Sequence, residues 1–271
     1  MLHQKIYLTD EKDAYLITYL HDRYEQDWED VGEWLPPKRP ALILLPGGGY
    51  SYCSDREGEP VAYPFLCAGY NVFVLIYRTG DKSVWPAPLE DVAKAVWTVR
   101  QHADEWNIDP CKIAVGGFSA GGNLTSILGT QWHRGVEERL GIPRGGSRPD
   151  AMLLAYAPVE MEQRPSSNTQ LGTLLKDRPE ELSSVRYVDN QTPPAFIWHT
   201  VNDEKVPVKN ALLFAAKCLE FQIPFELHIF EHGPHGLSLN SDLTAYHLEH
   251  PVNVSSWVPC CIDWLNKLFA F

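Results

Sequence analysis

The chain lacks any apolar run long enough to span a bilayer; its longest, Ala151 to Ala157, falls far short of the roughly 20 residues needed. Basic residues are also scarce: 23 Lys and Arg stand against 35 Asp and Glu, a formal net charge of −12. A surface this acidic repels phosphate backbones, which argues against a nucleic-acid partner, and it attracts neutral substrates better than strongly anionic ones. No CxxC pair or zinc spacing occurs among the six cysteines, Cys53, Cys67, Cys111, Cys218, Cys260 and Cys261, so they read as thiols in apolar surroundings. No apolar h-region precedes Asp10, Glu11, Lys12 and Asp13, which predicts no signal peptide and a cytoplasmic location. Nor is there a Walker lysine, a complete G-x-G-x-x-G or an internal repeat.

What is present fits one large α/β domain over residues 1–271. Hydrophobic residues make up 44% and charged residues 21%, an ordinary globular balance. Short apolar runs predict strands at Ala14–Leu20, Ala41–Leu45, Asn71–Tyr77, Lys112–Val115, Ala151–Ala155, Ala195–Thr200 and Phe225–Phe230. Helical spacing predicts helices at Pro60–Ala68, Pro88–Trp106, Ala120–Trp132, Val208–Phe221 and Trp257–Phe269. This alternation predicts a doubly wound, mostly parallel sheet. Tyr24–Arg39, acidic and holding Pro36 and Pro37, reads as loop, and Leu239–Pro251 as irregular. Pro158–Pro194 is polar and proline-bearing, and is expected to form a small cap-like insertion over the active edge.

Three segments carry chemistry. Gly117-Phe118-Ser119-Ala120-Gly121 is a G-x-S-x-G placed between an apolar strand and a helix. That context raises a serine hydroxyl on a tight turn, with glycines allowing close backbone approach; a turn that merely packs helix on sheet is the bland alternative. Asp203, in Asn202-Asp203-Glu204, comes off the end of a strand, where catalytic groups of open α/β sheets gather. A helix-capping aspartate is the competing reading, and Glu204 the neighbouring candidate. His235, in His232-Gly233-Pro234-His235-Gly236, lies in a loop after the next strand and can be aimed as a base. The chain holds ten histidines; His232 and His199 are its rivals, and His199, inside a strand, reads as structural. Each of Ser119, Asp203 and His235 follows a strand, and their order is the nucleophile, acid, base order of α/β hydrolases.

Leu45-Pro46-Gly47-Gly48-Gly49-Tyr50 follows a buried strand with three glycines, whose bare N–H groups suit an oxyanion hole. The other readings are a flexible turn or a phosphate loop. Trp34, Trp85, Tyr50 and Tyr156 could build an aromatic wall for sugar faces, with core or edge packing as the alternative for each. Tyr50 and Trp85 are the substrate-binding candidates.

These residues resemble the α/β-hydrolase carbohydrate esterases of the acetyl-xylan-esterase-like group, related to hormone-sensitive-lipase-type esterases. The resemblance runs from about position 40 to the C-terminus. It rests on Pro46-Gly47-Gly48-Gly49-Tyr50, Gly69-Tyr70-Asn71-Val72, Tyr77-Arg78, Gly117 to Gly122, Asn202-Asp203 and Gly233 to Gly236. It implies the backbone N–H groups of Gly48, Gly49 and Ala120 as oxyanion donors. Related esterases often carry His-Gly-Gly-Gly, and here Pro46 stands at the histidine, leaving the choice among Gly47, Gly48 and Gly49 open. It further implies acyl transfer by Ser119, His235 and Asp203 on short acetyl esters of carbohydrates, with no metal or organic cofactor. A lipase-like or peptidase-like hydrolase on the same scaffold, or a non-catalytic binding protein, are the alternatives.

Overall fold

The computed structural model describes residues 1–22, 37–161, 179–242, 244 and 254–271. Eight strands form one sheet in the order β1-β2-β4-β3-β5-β6-β7-β8. They are β1 Lys5–Tyr7, β2 Tyr15–Tyr19, β3 Arg39–Leu45, β4 Asn71–Ile76, β5 Ile108–Phe118, β6 Ala151–Ala155, β7 Ala195–Thr200 and β8 Phe225–Phe230. Strands β1 and β2 pair antiparallel, as do β2 and β4; every other pairing is parallel.

Residues alternate between faces along each strand, and helices cover both. On one face Ile43, Phe73, Leu75 and Val115 pack with Leu89, Val92 and Val96 of the helix Ala87–Gln101 and with Leu124 and Ile127 of the helix Ala120–Gln131. We label the longer helices in chain order: α1 Glu59–Cys67, α2 Ala87–Gln101, α3 Ala120–Gln131, α4 Lys209–Glu220 and α5 Trp257–Phe269. The opposite face, Leu42, Leu44, Val72, Val74 and Leu153, packs with Val61 and Phe65 of α1 and Cys261 and Leu265 of α5. Further along, Met152, Leu154 and Ile197 pack with Ala211, Phe214 and Cys218 of α4. Each large apolar side chain so buried contributes about 1.5–3 kcal/mol.

Several boundaries differ from the sequence-based expectations for identifiable reasons. Strand β1 was not anticipated: it is three residues long, holds one half-buried isoleucine, and exists because Lys5–Tyr7 pairs with Tyr15–Ile17. Arg39 and Pro40 begin β3, where a loop was expected up to Arg39. Strand β5 extends well beyond Lys112–Val115 on both sides. Gly116 and Gly117, which read locally as turn, pair with Leu44 and Leu45 on one side and Leu153 and Leu154 on the other. Helix α2 stops at Gln101, short of Trp106; Trp106 remains buried and stacks on His102.

Of the expected insertion 158–194, residues 162–178 lie outside the described residues. The returning limb holds two short helical turns, Pro179–Leu182 and Ser184–Tyr187, docked on α3. Asn123 Nδ2 donates to Leu182 O at 3.0 Å, and Gln131 Nε2 to Glu181 O at 2.9 Å. Trp34 and most of Tyr24–Arg39 and Leu239–Pro251 also fall outside the described residues.

The chain leaves β3 for β4 on one side and returns to β5 on the other, so the winding reverses between β3 and β5. In open α/β sheets a crevice opens outside the carboxyl ends of the strands at such a point. The loops after Leu45 and Phe118 start there. Among the described residues no helix is long and apolar enough to cross a membrane.

Candidate functional site

Ser119 sits on the turn between β5 and α3 with φ 52° and ψ −117°, a conformation costly for a residue with a side chain. Close backbone packing enforces it. A Cβ on Gly117 would lie 2.2 Å from Gly121 O, and one on Gly121 would lie 2.1 Å from Leu45 O. A Cβ on Gly122 would meet that of Ala157 at 2.7 Å. Only glycine admits these approaches, so the elbow is pressed against β3 and against the chain leaving β6. Ser119 N–H donates to Ala155 O at 3.0 Å.

His235 reaches this serine from the far end of the sheet: Ser119 Oγ and His235 Nε2 are 2.6 Å apart. On the other side of the ring, His235 Nδ1 is 2.7 Å from Asp203 Oδ2. An ionised carboxylate only accepts, so Nδ1 carries the proton and Nε2 is free to accept from the serine hydroxyl. Asp203 is buried, and burial opposes its ionisation. Hydrogen bonds from His199 and His235 and from the backbone outweigh that cost and hold its carboxyl well below the usual range. Its Oδ1 accepts the N–H groups of Lys205 at 2.9 Å and Val206 at 2.8 Å. Glu204 is exposed, and His232 is also exposed, paired with Glu231. Among the described residues, neither of these side chains hydrogen-bonds to Ser119 or to His235.

The loops bearing acid and base are tied together. Asn202 Oδ1 accepts Gly233 N–H at 2.8 Å, and Thr200 Oγ1 donates to Gly233 O at 2.7 Å.

The glycine loop narrows the choice of oxyanion donors. Gly47 N–H donates to Glu57 Oε2 at 2.7 Å and is therefore occupied. Gly48, at φ 128°, and Gly49, at φ 64°, follow it in backbone conformations that favour glycine. Ala120 opens α3, so its N–H belongs to the first turn, which has no partner within the helix. Pro46, which leads into the three glycines, accepts the Tyr77 hydroxyl on its carbonyl at 2.7 Å.

The aromatic wall requires correction. Tyr50 is wholly buried: its hydroxyl donates to Asn123 Oδ1 at 2.9 Å and its ring packs edge-on against Tyr77. It has no face to offer a sugar. Tyr156 is likewise buried, its hydroxyl donating to Glu57 Oε1 at 2.6 Å and accepting Ser238 N–H at 3.0 Å. Trp85 is partly exposed, with its indole N–H on Glu181 Oε2 at 2.5 Å.

Two neighbours of the site escaped the sequence reading. His199, read as structural, lies fully buried with Nε2 2.8 Å from Val206 O and 3.3 Å from Asp203 Oδ2, backing the acid. Glu57 was not singled out because it stands in the charged run Asp55-Arg56-Glu57-Gly58-Glu59 ahead of α1, where acidic residues ordinarily serve a helix N-terminus. In the fold that run turns inward, leaving Glu57 only 4% exposed.

The chain resembles known proteins in the same regions. The BD-FAE family model matches residues 35–218. Endo-1,4-beta-xylanase B of Butyrivibrio fibrisolvens is 37% identical over 235 residues, covering 84% of this chain and 35% of that protein. Acetylxylan esterase of Xylanibacter ruminicola is 28% identical over 234 residues, covering 82% of this chain and 46% of that protein. The chain thus spans less than half the length of these curated relatives. The solved acetyl ester-xyloside bifunctional hydrolase of Caldicellulosiruptor lactoaceticus superposes with a TM-score of 0.78 at 32% identity, covering 98% of this chain and 96% of that one. With its mostly parallel eight-stranded sheet and the family match over most of its length, the chain belongs to the BD-FAE family, within the esterase-type α/β hydrolases.

Proposed function

We propose that the chain is a serine esterase in which Ser119 is the nucleophile, His235 its base and Asp203 the acid that orients the base. The observation that carries this reading is the unbroken relay from Ser119 Oγ to His235 Nε2 at 2.6 Å and from His235 Nδ1 to Asp203 Oδ2 at 2.7 Å. Nε2 takes the serine proton as Oγ attacks the ester carbonyl. The Ala120 N–H, with Gly48 and Gly49, receives the negative oxygen; such donors commonly lower the barrier by about 3–4 kcal/mol each. The tetrahedral intermediate collapses as the imidazolium returns the proton to the departing alcohol, leaving an acyl-serine. Water, deprotonated by His235, then releases the acid.

We take the substrate to be a short-acyl ester, an acetylated carbohydrate. Support comes from relatives that bear the names acetylxylan esterase and acetyl ester-xyloside hydrolase. Trp85, the partly exposed one among the described members of the aromatic group, is our candidate for a sugar face. We also read residues 1–271 as a single domain with 158–194 as its insertion.

Two measurements test the proposal. Ser119→Ala is expected to lower p-nitrophenyl acetate hydrolysis about 10³-fold or more and to abolish labelling by a fluorophosphonate. Near-normal turnover in that variant would remove Ser119 from the mechanism. Across p-nitrophenyl esters from acetyl to octanoyl, kcat/KM is expected to stay flat or fall. A buried methylene is worth about 0.8 kcal/mol, so a steadily rising series would instead mark an apolar acyl groove and a lipase-like enzyme.

A further inference from the structure

Glu57 is a carboxyl group buried beside the reacting atoms with no part in the relay. Both of its oxygens are engaged by donors: Gly47 N–H on Oε2 at 2.7 Å and the Tyr156 hydroxyl on Oε1 at 2.6 Å. Tyr156 also accepts Ser238 N–H, so its own proton is committed to Glu57. This pattern of two donors facing two acceptors matches the ionised form of the acid. Burial outweighs the bonds from Tyr156 and Gly47 and the nearby His235, and sets the Glu57 carboxyl above its usual range; the ionised form is read from the donors around it.

The two partners lead to opposite sides of the site. Gly47 begins the glycine loop, and a methyl at its Cβ position would lie 2.7 Å from Glu57 Oε2 and 3.0 Å from Ser119 Cβ, so acid and nucleophile flank the same point. Tyr156, held at φ 38° just after β6, sets its ring edge-on to the His235 imidazole at 5.2 Å. Glu57 therefore touches, through one bond each, the loop that would hold the oxyanion and the ring that packs the base.

We propose that Glu57 is a positioning residue for ester hydrolysis: it anchors the oxyanion loop through Gly47, aligns His235 through Tyr156, and adds a fixed negative charge that favours the imidazolium formed in the transition state. This rests on the reading of Ser119, Asp203 and His235 given above. Among the described residues, the charged and titratable groups around His235 are Asp203 with His199 behind it, Glu57 with Tyr156 on it, and Arg56, which also bears on Glu57 and donates to the carbonyls of Gly236 and Thr244. Of these, Asp203 and Glu57 are the two anions whose field on His235 is felt directly. A charge preorganised in this way costs no rearrangement during the reaction.

The test uses the full chain, p-nitrophenyl acetate and two variants. Glu57→Gln keeps the shape, but its amide nitrogen cannot accept from either donor. It is expected to lower kcat by about 10–100-fold with KM within about twofold, the mark of an interaction made in the transition state. The acid limb of the kcat/KM–pH profile is expected to move to lower pH, because an anion that favoured the protonated ring is gone. Tyr156→Phe keeps the ring and the Gly47 bond and is expected to lower kcat by about 3–10-fold. A folded Glu57→Gln with normal kcat, or with an unmoved acid limb, overturns the proposal. If Glu57→Gln does not fold, normal kcat in Tyr156→Phe overturns it. Ser119→Ala, run alongside, separates the two readings: if it remains active the triad assignment fails, whereas an inactive Ser119→Ala beside an unaltered Glu57→Gln refutes only the role of Glu57.

Discussion

The nucleophile side of the site and the base side are built from different materials. Ser119 and the glycine loop are held by backbone pressed on backbone: Gly117 on Gly121, Gly121 on Leu45, and Gly48 on Tyr52 O, which a Cβ would approach to 2.0 Å. Asp203 and His235 are held by side-chain hydrogen bonds, with Asn202 and Thr200 clasping Gly233 and Asp203 capping the N–H groups of Lys205 and Val206. Steric contact at such distances is all or none, because repulsion climbs steeply as atoms are forced together. A net hydrogen bond is worth only about 0.5–1.5 kcal/mol, so its loss is graded. Substitution on the first side should therefore disturb folding, and on the second side mainly turnover.

The sharpest break of this contrast is Asp203→Asn. It is expected to cost about 10³–10⁴-fold in kcat while the protein stays folded, because the amide can present its N–H₂ to the histidine and so impose the wrong tautomer. Glu204→Gln, at an exposed side chain, is expected to change kcat less than about twofold. Equal losses in the two, measured on p-nitrophenyl acetate, would return the acid role to open competition.

Gly121→Ala stands for the opposite side. Its Cβ would lie 2.1 Å from Leu45 O and 2.6 Å from Pro46 O, both backbone atoms that cannot swing away. A destabilisation of about 3 kcal/mol or more is expected, which for a chain of this size lowers Tm by roughly 6–12 °C. A normal melting curve would mean that the elbow yields easily and that its strain is not imposed by packing.

The smallest effect expected is at Gly49. Nothing lies within 4 Å of the Cβ it would gain, so Gly49→Ala meets only the cost of its φ of 64°. That cost is about 1–2 kcal/mol. A larger loss in a denaturant titration would show that Gly49 is crowded and belongs with Gly48 and Gly121 on the steric side.

Much of this arrangement was legible in the residues themselves. The runs Asn71–Tyr77 and Ala151–Ala155 could be read as buried strands because each is almost wholly apolar, and the fold makes strands of Asn71–Ile76 and Ala151–Ala155. Ser119, Asp203 and His235 could be picked out because each closes or follows such a strand, and the fold brings the three together. Gly116 and Gly117 were missed as strand because glycine marks a turn locally, whereas here it marks the close approach of neighbouring strands. Tyr50 and Tyr156 could be read either as a surface for sugar or as packing, because an aromatic at the end of a strand or loop gives no sign in the sequence of which way its ring turns.

The sequence by itself determined the alternation of elements and the order in which nucleophile, acid and base emerge, since apolar periodicity and turn residues are local properties of the chain. Only the tertiary structure decided which groups stand around them. That Gly47 N–H is taken by Glu57, that Tyr156 faces inward to hold both Glu57 and the edge of His235, and that His199 backs Asp203 depend on contacts between residues far apart in the chain. A buried carboxylate in a charged run is indistinguishable from a solvated one until the fold removes its water and surrounds it with donors.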